Sequence, residues 1–442
     1  MLSGAVADAT DTVHYGRRRA VWVTGDGTGM RRRWDLRSAL RAVVGVTATV
    51  AAGLTVAPAP PAAAATRVPV AGAAAPAADC RLPASGGIGN EQEGPTDYRR
   101  WLPAQGALRA VFLFVDFSDA PGGAGELAER RDMFASAPGD WLRTASYGRA
   151  SLVPTFTTAW ARMPRPQSAY AGFNASFEAH RAYLQDAVTA SDAVVDFTGF
   201  DLVYVVSPRS ATAIAVSPAF IADPGWGVSA DGVELRHGVT LGADVDSWGY
   251  RVLNHETGHV FGLPDLYTYG AGWPDLHRPV GGWDLMGLIS GPAPDHLAWH
   301  KWKLGWLDDT QISCVTAPGT RTVTLTPLGT ATGLKAAVVK VSAQRVIVVE
   351  NRRADSLDVA SPCLRPGVLV YAVEAGVGGG NNPVRVIDAQ PGSAVDGCGP
   401  GDAELDNATL TAVGQQVTDA ASGVRVTLTG TSGAKRTVQV AW

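Results

Sequence analysis

One stretch restricts what this chain can fold into more than any other: Asn254-His-Glu-Thr-Gly-His-Val-Phe-Gly-Leu-Pro-Asp-Leu-Tyr267. Residues four apart on a helix share a face, so a helix running from about Trp248 to Phe261 presents His255 and His259 side by side. Gly262 can take the left-handed conformation that ends a helix, and Pro264 cannot continue one. The chain must therefore turn back, and the turn returns Asp265 toward the two imidazoles. Any fold that accepts this segment needs a helix set into a buried wall, a tight reversal, and room where three polar side chains converge.

Two imidazole nitrogens and a carboxylate oxygen form a donor set for Zn2+, with bonds of about 2.0–2.2 Å and a fourth position left open. His255, His259 and Asp265 are the candidate ligands of one catalytic Zn2+. Glu256 stands beside them. It is the candidate catalytic base, placed to take a proton from a zinc-bound water whose pKa is drawn down toward about 7. A bare HExxH is a weak signal, but Gly262 and Asp265 extend it. By this chain's own residue frequencies the extended pattern arises by accident about once in tens of thousands of such chains. The competing reading is a buried helix with satisfied histidines. Downstream, Gly281-Gly-Trp-Asp-Leu-Met-Gly287 places Met286 in a glycine-flanked turn, suited to a thioether floor beneath the ligands. Taken alone, Met286 would read as core filling.

The rest of the 442 residues divides by texture. Residues 1–29 read as an upstream start-site extension, disordered. Residues 30–65 read as a signal peptide: a basic stretch from Met30, an uncharged apolar run from Ala42 to Ala57, prolines 58, 60 and 61, then small residues. The apolar run is short of the ~20 residues that span a bilayer. The expectation is a secreted, extracellular protein with no membrane anchor after signal cleavage. Residues 66–104, Ala/Pro/Gly-rich and then polar, read as a linker or short propeptide. Residues 105–308 are the expected catalytic domain, with buried strands near Leu108 and Asp201 and helices over Glu126–Leu142 and Phe177–Ala190. From 309 to 442, short apolar runs at Thr320, Ala336, Arg345, Gly367, Gly423 and Arg436 are separated by turn residues and read as a β-sandwich. The fold class is α+β.

The four cysteines, Cys80, Cys314, Cys363 and Cys398, form no CxxC pair. In an exported chain they imply two disulfides with three possible connectivities. The favoured one closes a local loop with Cys363–Cys398 and straps the N-terminal segment to the body with Cys80–Cys314. The alternative, Cys80 as a latency thiol on the zinc, leaves an odd cysteine. A net charge of −4 gives no electrostatic case for nucleic acid.

The chain resembles the immune-inhibitor-A-type secreted bacterial metallopeptidases, a metzincin-like family. The residues that carry the resemblance are His255–Tyr267, Gly281–Gly287 and His296–Trp306, with Val111–Asp119, Ser146–Leu152 and Val195–Val206. The resemblance covers most of residues 108–308. It implies a metzincin-like zinc peptidase domain that cleaves extracellular proteins or peptides, with His255, His259 and Asp265 as ligands, Glu256 as base and Met286 as Met-turn. The β-rich tail is only loosely similar to the region C-terminal to the catalytic domain in family members.

Other candidates are weaker. His296 and His300, again four apart, lack carboxylate partners in sequence beyond Asp295 and read as structural. Asp116 and Asp119 could take part in a Ca2+ site, but two carboxylates fall short of the 6–8 oxygens Ca2+ takes. Tyr267 and Tyr269 are candidates for oxyanion contact without commitment. His237 reads as ordinary surface. Three function classes are open: an active endopeptidase working as a monomer, a catalytically silent extracellular protein- or glycan-binding protein that retains the fold, and a structural surface protein. The intact Glu256 favours the first.

Overall fold

The computed structural model describes residues 75–85, 91–272, 275–291, 294–358, 363, 365–394 and 404–442. The start-site extension, the signal peptide and Cys398 lie outside the described residues. The chain is mixed α/β, with several sheets and few helices.

The first sheet runs in the order Ala150–Phe156, Gly106–Asp116, Leu202–Val206, His237–Leu241, Ala219–Ile221. Its first four strands are parallel, and the last pairs antiparallel with Ala219 opposite Val239. The two central strands have both faces covered, which explains why they read as unbroken apolar runs rather than alternations. Val111, Leu113, Val115, Val203 and Val205 pack toward the helix Phe177–Ser191. Phe112, Phe114, Tyr204 and Val206 face the opposite way, into the core that holds the metal-motif helix. Helix Phe177–Ser191 starts where Ser176 Oγ accepts the Ala179 amide at 3.1 Å, an N-cap worth about 1 kcal/mol. His237 opens its strand and is buried, with Nε2 donating to the Arg100 carbonyl at 2.8 Å. It is not surface: the strand it opens is buried at all five positions.

Two helices differ from expectation for local reasons. Glu126–Leu142 lies in two helices, Ala124–Ala135 and Ala137–Ala145, parted at Ser136, with Pro138 in the first turn of the second, where its missing N–H costs nothing. The motif helix is Tyr250–Val260, separated from the short helix Val245–Trp248 by Gly249 at φ 57°.

The tail contains a five-stranded sheet, ordered Val384–Val386, Gly367–Glu374, Arg345–Arg352, Ala336–Lys340, Ile312–Val315, and a four-stranded sheet, ordered Thr320–Leu325, Lys435–Ala441, Arg425–Ser432, Gln416–Thr418. Side chains alternate along a strand, and the five-stranded sheet uses both faces. Ala337, Val339, Ile347, Val349, Val368 and Val370 meet Val323, Leu325, Val426, Leu428, Val438 and Val440 of the four-stranded sheet. Ala336, Val338, Val346, Val348, Leu369 and Tyr371 enter the same core as the motif helix. That shared core explains the strand texture. The inner strands are continuously apolar, and the outer ones alternate with threonine and charge.

The N-terminal segment read as linker or propeptide packs against the body where it is described. Cys80, Leu82, Glu91, Glu93, Trp101 and Ala104 are buried, and Cys80 is disulfide-bonded to Cys314, the pairing favoured from sequence. Cys363 is disulfide-bonded as well. Buried indoles act as polar anchors: Trp283 donates to the Leu405 carbonyl at 2.7 Å, Trp306 to the Ala104 carbonyl at 2.6 Å, and Trp299 to Glu93 Oε2 at 2.9 Å. Asp116 and Asp119 hold neighbours rather than face an open site. Arg162 engages both oxygens of Asp116 at 2.7 and 2.9 Å, and Asp119 accepts the Gln167 amide at 2.7 Å.

Candidate metal centre

The motif helix is buried from Val252 to Val260. Its end is built as the sequence requires: Gly262 has φ 87°, its amide donates to the His259 carbonyl at 2.8 Å, and the Leu263 amide donates to the Gly258 carbonyl at 2.9 Å. A Cβ on Gly262 would also approach Thr96 and Trp101 at 3.0–3.3 Å. The reversal brings Asp265 back, as expected.

Asp265 Oδ1 lies 3.1 Å from His255 Nε2 and 3.3 Å from His259 Nε2. Two bonds of about 2.0–2.1 Å meeting at a tetrahedral angle hold their donor atoms about 3.3–3.4 Å apart, so the spacing suits a shared cation. Alignment decides the matter further. His255 Nε2 and Asp265 Oδ1 are buried and make no hydrogen bond despite their closeness. Two such atoms facing each other out of hydrogen-bond geometry would be costly to leave unsatisfied. A cation held between them would satisfy both.

Each donor is held from behind. His255 Nδ1 donates to the Leu285 carbonyl at 2.9 Å, and His259 Nδ1 to the Leu263 carbonyl at 2.8 Å. A carbonyl can only accept, so both imidazoles carry a hydrogen on Nδ1, and in the neutral ring Nε2 is the lone-pair nitrogen. Tyr269 Oη donates to Asp265 Oδ2 at 2.6 Å, leaving Oδ1 to face the histidines. Met286 is fully buried, and a Cβ on Gly258 would come within 2.6 Å of its sulfur. The methionine therefore lies directly under the turn between the two histidines.

Glu256 comes close to the same point. One carboxylate oxygen and one nitrogen each of His255 and His259 all lie within 4.8 Å of one another, and Glu256 Oε2 accepts the Ala219 amide at 2.9 Å. Ala219–Ile221 is the edge strand of the first sheet among the described residues.

Burial works against a charged His259, but Asp265 and Glu91 overcome it and hold the imidazole up at about 10. Burial likewise opposes a charged Asp265, yet the two histidines keep its carboxyl well below the usual range. Glu91 arrives from the N-terminal segment, with Oε2 3.5 Å from His259 Nδ1. Burial pushes it up to about 7, against the pull of His259.

Several contributors were invisible in the sequence. Leu263 and Leu285 act through backbone carbonyls, which any residue type supplies, and Ala219 through its amide, which any residue but proline supplies. Glu91 and Gly380 come from far along the chain. Gly380 belongs to a tail loop whose backbone brackets the site: its amide donates to the Asp265 carbonyl at 3.0 Å, and its carbonyl accepts from the Tyr269 amide at 2.9 Å. The glycine run at 378–380 was the available signal, because a Cβ on Gly380 would lie 2.2 Å from the Tyr269 ring.

No protein-family model matches the chain, and no curated protein matches it.

Proposed function

We propose that this protein is a secreted zinc-dependent endopeptidase of the immune-inhibitor-A type, with a metzincin-like catalytic domain followed by a β-sandwich. The observation that carries the proposal is the pair of unsatisfied buried atoms, His255 Nε2 and Asp265 Oδ1, at ligand spacing with His259 and with Glu256 alongside. His255, His259 and Asp265 would hold one Zn2+. Bound there, zinc would supply a Lewis acid that polarises a scissile carbonyl and makes water acidic enough to attack at neutral pH.

The chain's own residues do the rest. The Ala219 amide fixes the Glu256 carboxylate, which takes the proton of the attacking water and returns it to the leaving amine. The strand beside it is the last of its sheet among the described residues, a position where an extended peptide would add on through main-chain hydrogen bonds. The Cys80–Cys314 disulfide agrees with an oxidising, extracytoplasmic setting.

The deciding experiment is Glu256→Ala. The variant should retain about one zinc per chain, measured by elemental analysis, and lose casein cleavage. Unchanged cleavage would sink the mechanism, and a wild-type chain that binds no zinc would sink the site.

A further inference from the structure

Behind the candidate metal centre lies a second polar cluster that the proposed reaction does not use. Asp284, His296 and His300 are fully buried and close enough together to suggest a second cation site. The distances argue otherwise. His296 Nδ1 meets Asp284 Oδ1 at 2.9 Å, and His300 Nδ1 meets Oδ2 at 2.8 Å. These are the lengths of charge-assisted hydrogen bonds, shorter than the about 3.3–3.4 Å that separates zinc donors.

The Asp284 carboxylate is also saturated. Oδ1 accepts the Met286 amide at 2.8 Å, and Oδ2 accepts the Leu297 amide at 2.7 Å. Four donors fill the roughly four lone-pair sites of a carboxylate, and a metal would have to displace them. His300 continues the chain of bonds through Nε2 to Glu93 Oε1 at 3.1 Å. Both ring nitrogens of His300 thus face carboxylates, and against its burial Asp284 and Glu93 raise the imidazole above its ordinary value.

What Asp284 anchors is the loop that meets the metal centre. Directly after it, the Leu285 carbonyl accepts from ligand His255. The Met286 carbonyl accepts from the Leu266 amide at 3.0 Å, next to ligand Asp265. The Met286 sulfur lies against Gly258. The loop thus touches the chain at or beside all three candidate ligands, and its other end is clamped by one carboxylate.

We propose that Asp284, clamped by His296 and His300, is a positioning residue for the metal centre: it sets the loop so that Leu285 fixes the tautomer and direction of His255. This rests on the zinc-site reading above. Asp284→Asn would test it, because either orientation of the amide turns N–H groups against a backbone N–H, Met286 or Leu297, and the loop must shift.

The probe is Co2+ added to the metal-free full-length chain, read by its visible d–d absorption and by competition with a chromophoric chelator. Leu428→Ala serves as the control for lost stability, since Leu428 lies in the core between the two tail sheets. We expect Asp284→Asn to weaken Co2+ binding by about tenfold, the bottom of the range for direct outer partners of metal ligands because Asp284 acts one step further out through the Leu285 loop, and to shift the d–d bands. His296→Ala should act the same way more mildly, and Leu428→Ala should leave both readouts unchanged even with a lower Tm. Binding within twofold of wild type and unshifted bands in Asp284→Asn would overturn the inference. So would equal weakening by Leu428→Ala, which would reduce the effect to stability. If Asp284→Asn does not fold, His296→Ala decides by the same criteria. A wild-type chain that takes up no Co2+ overturns the zinc-site reading and this inference together, and is distinguished by that alone.

Discussion

Replacing Tyr269 by Phe removes one oxygen and keeps the ring. The ring is needed where it is, because the Gly380 backbone packs against it. The missing oxygen is the donor to Asp265 Oδ2, at 2.6 Å in the wild type. Hydrogen bonds to charged groups contribute about 1.5–3 kcal/mol. The ring is partly exposed, with Tyr269 40% accessible, so the lower part of that range applies. Without the hydroxyl, Asp265 could rotate, and under the proposed function it would present either oxygen to a bound cation rather than one chosen in advance. Zinc affinity should therefore fall by about tenfold, the bottom of the 10–100-fold range for outer partners of metal ligands. The assay is competition with a chelator of known affinity on the full-length chain, with far-ultraviolet circular dichroism to confirm the fold. An affinity within twofold of wild type would show that Asp265 is oriented by the turn alone and that the tyrosine is packing.

Other perturbations have equally definite outcomes. Removing the Cys80–Cys314 bridge by a double Ala substitution frees a loop with a sequence separation of 234; chain-entropy arguments put the loss near 5 kcal/mol as an upper figure, and a double variant with the wild-type Tm would refute it. Gly380→Ala adds a Cβ against the Tyr269 ring at a position with φ 71°, so it should lower both Tm and zinc affinity, whereas Gly414→Ala, strained but with open space around it, should lower Tm only. His180 is buried, and burial pushes it down to about 3, below its unfolded value near 6.5. Its contribution to stability is therefore complete above pH 6.5 and is lost as pH falls toward 3, amounting to about 2 kcal/mol by pH 5. Urea midpoints of wild type and His180→Gln, compared at pH 7.5 and 5, should converge, and parallel curves would refute this.

Part of this molecule could be read directly from its sequence. The four-residue spacing of His255 and His259, and the glycine at 262, act locally, so the helix, its end and the return of Asp265 needed no knowledge of distant chain. The continuous apolar runs at Gly106–Asp116 and Gly367–Glu374 likewise announced strands covered on both faces. The parts that were not legible depend on long-range placement. Nothing near Glu91 or Glu93 says that the segment read as linker or propeptide inserts two carboxylates into the interior, one against His259 and one against His300. His237 looked like surface because a histidine before a strand usually is, and the Arg100 carbonyl that satisfies it lies 137 residues away. The tail strands Ile312–Val315, Val384–Val386 and Gln416–Thr418 were too short to stand out.

The five-stranded tail sheet has a consequence for how such a chain can change over generations. With the metal-motif core on one face and the four-stranded sheet on the other, it has no side that can be left bare. A cut near residue 308 would strip cover from Val338, Val346, Val348, Leu369 and Tyr371 and from the side chains they touch, each worth about 1.5–3 kcal/mol when fully buried. It would also take away the Gly380 loop that seats Tyr269. Recombination at that point would yield two fragments, each with a wet interior, rather than two independent modules. The two parts are expected to be inherited as one piece, and diversity should collect in the exposed turns of the outermost sheet.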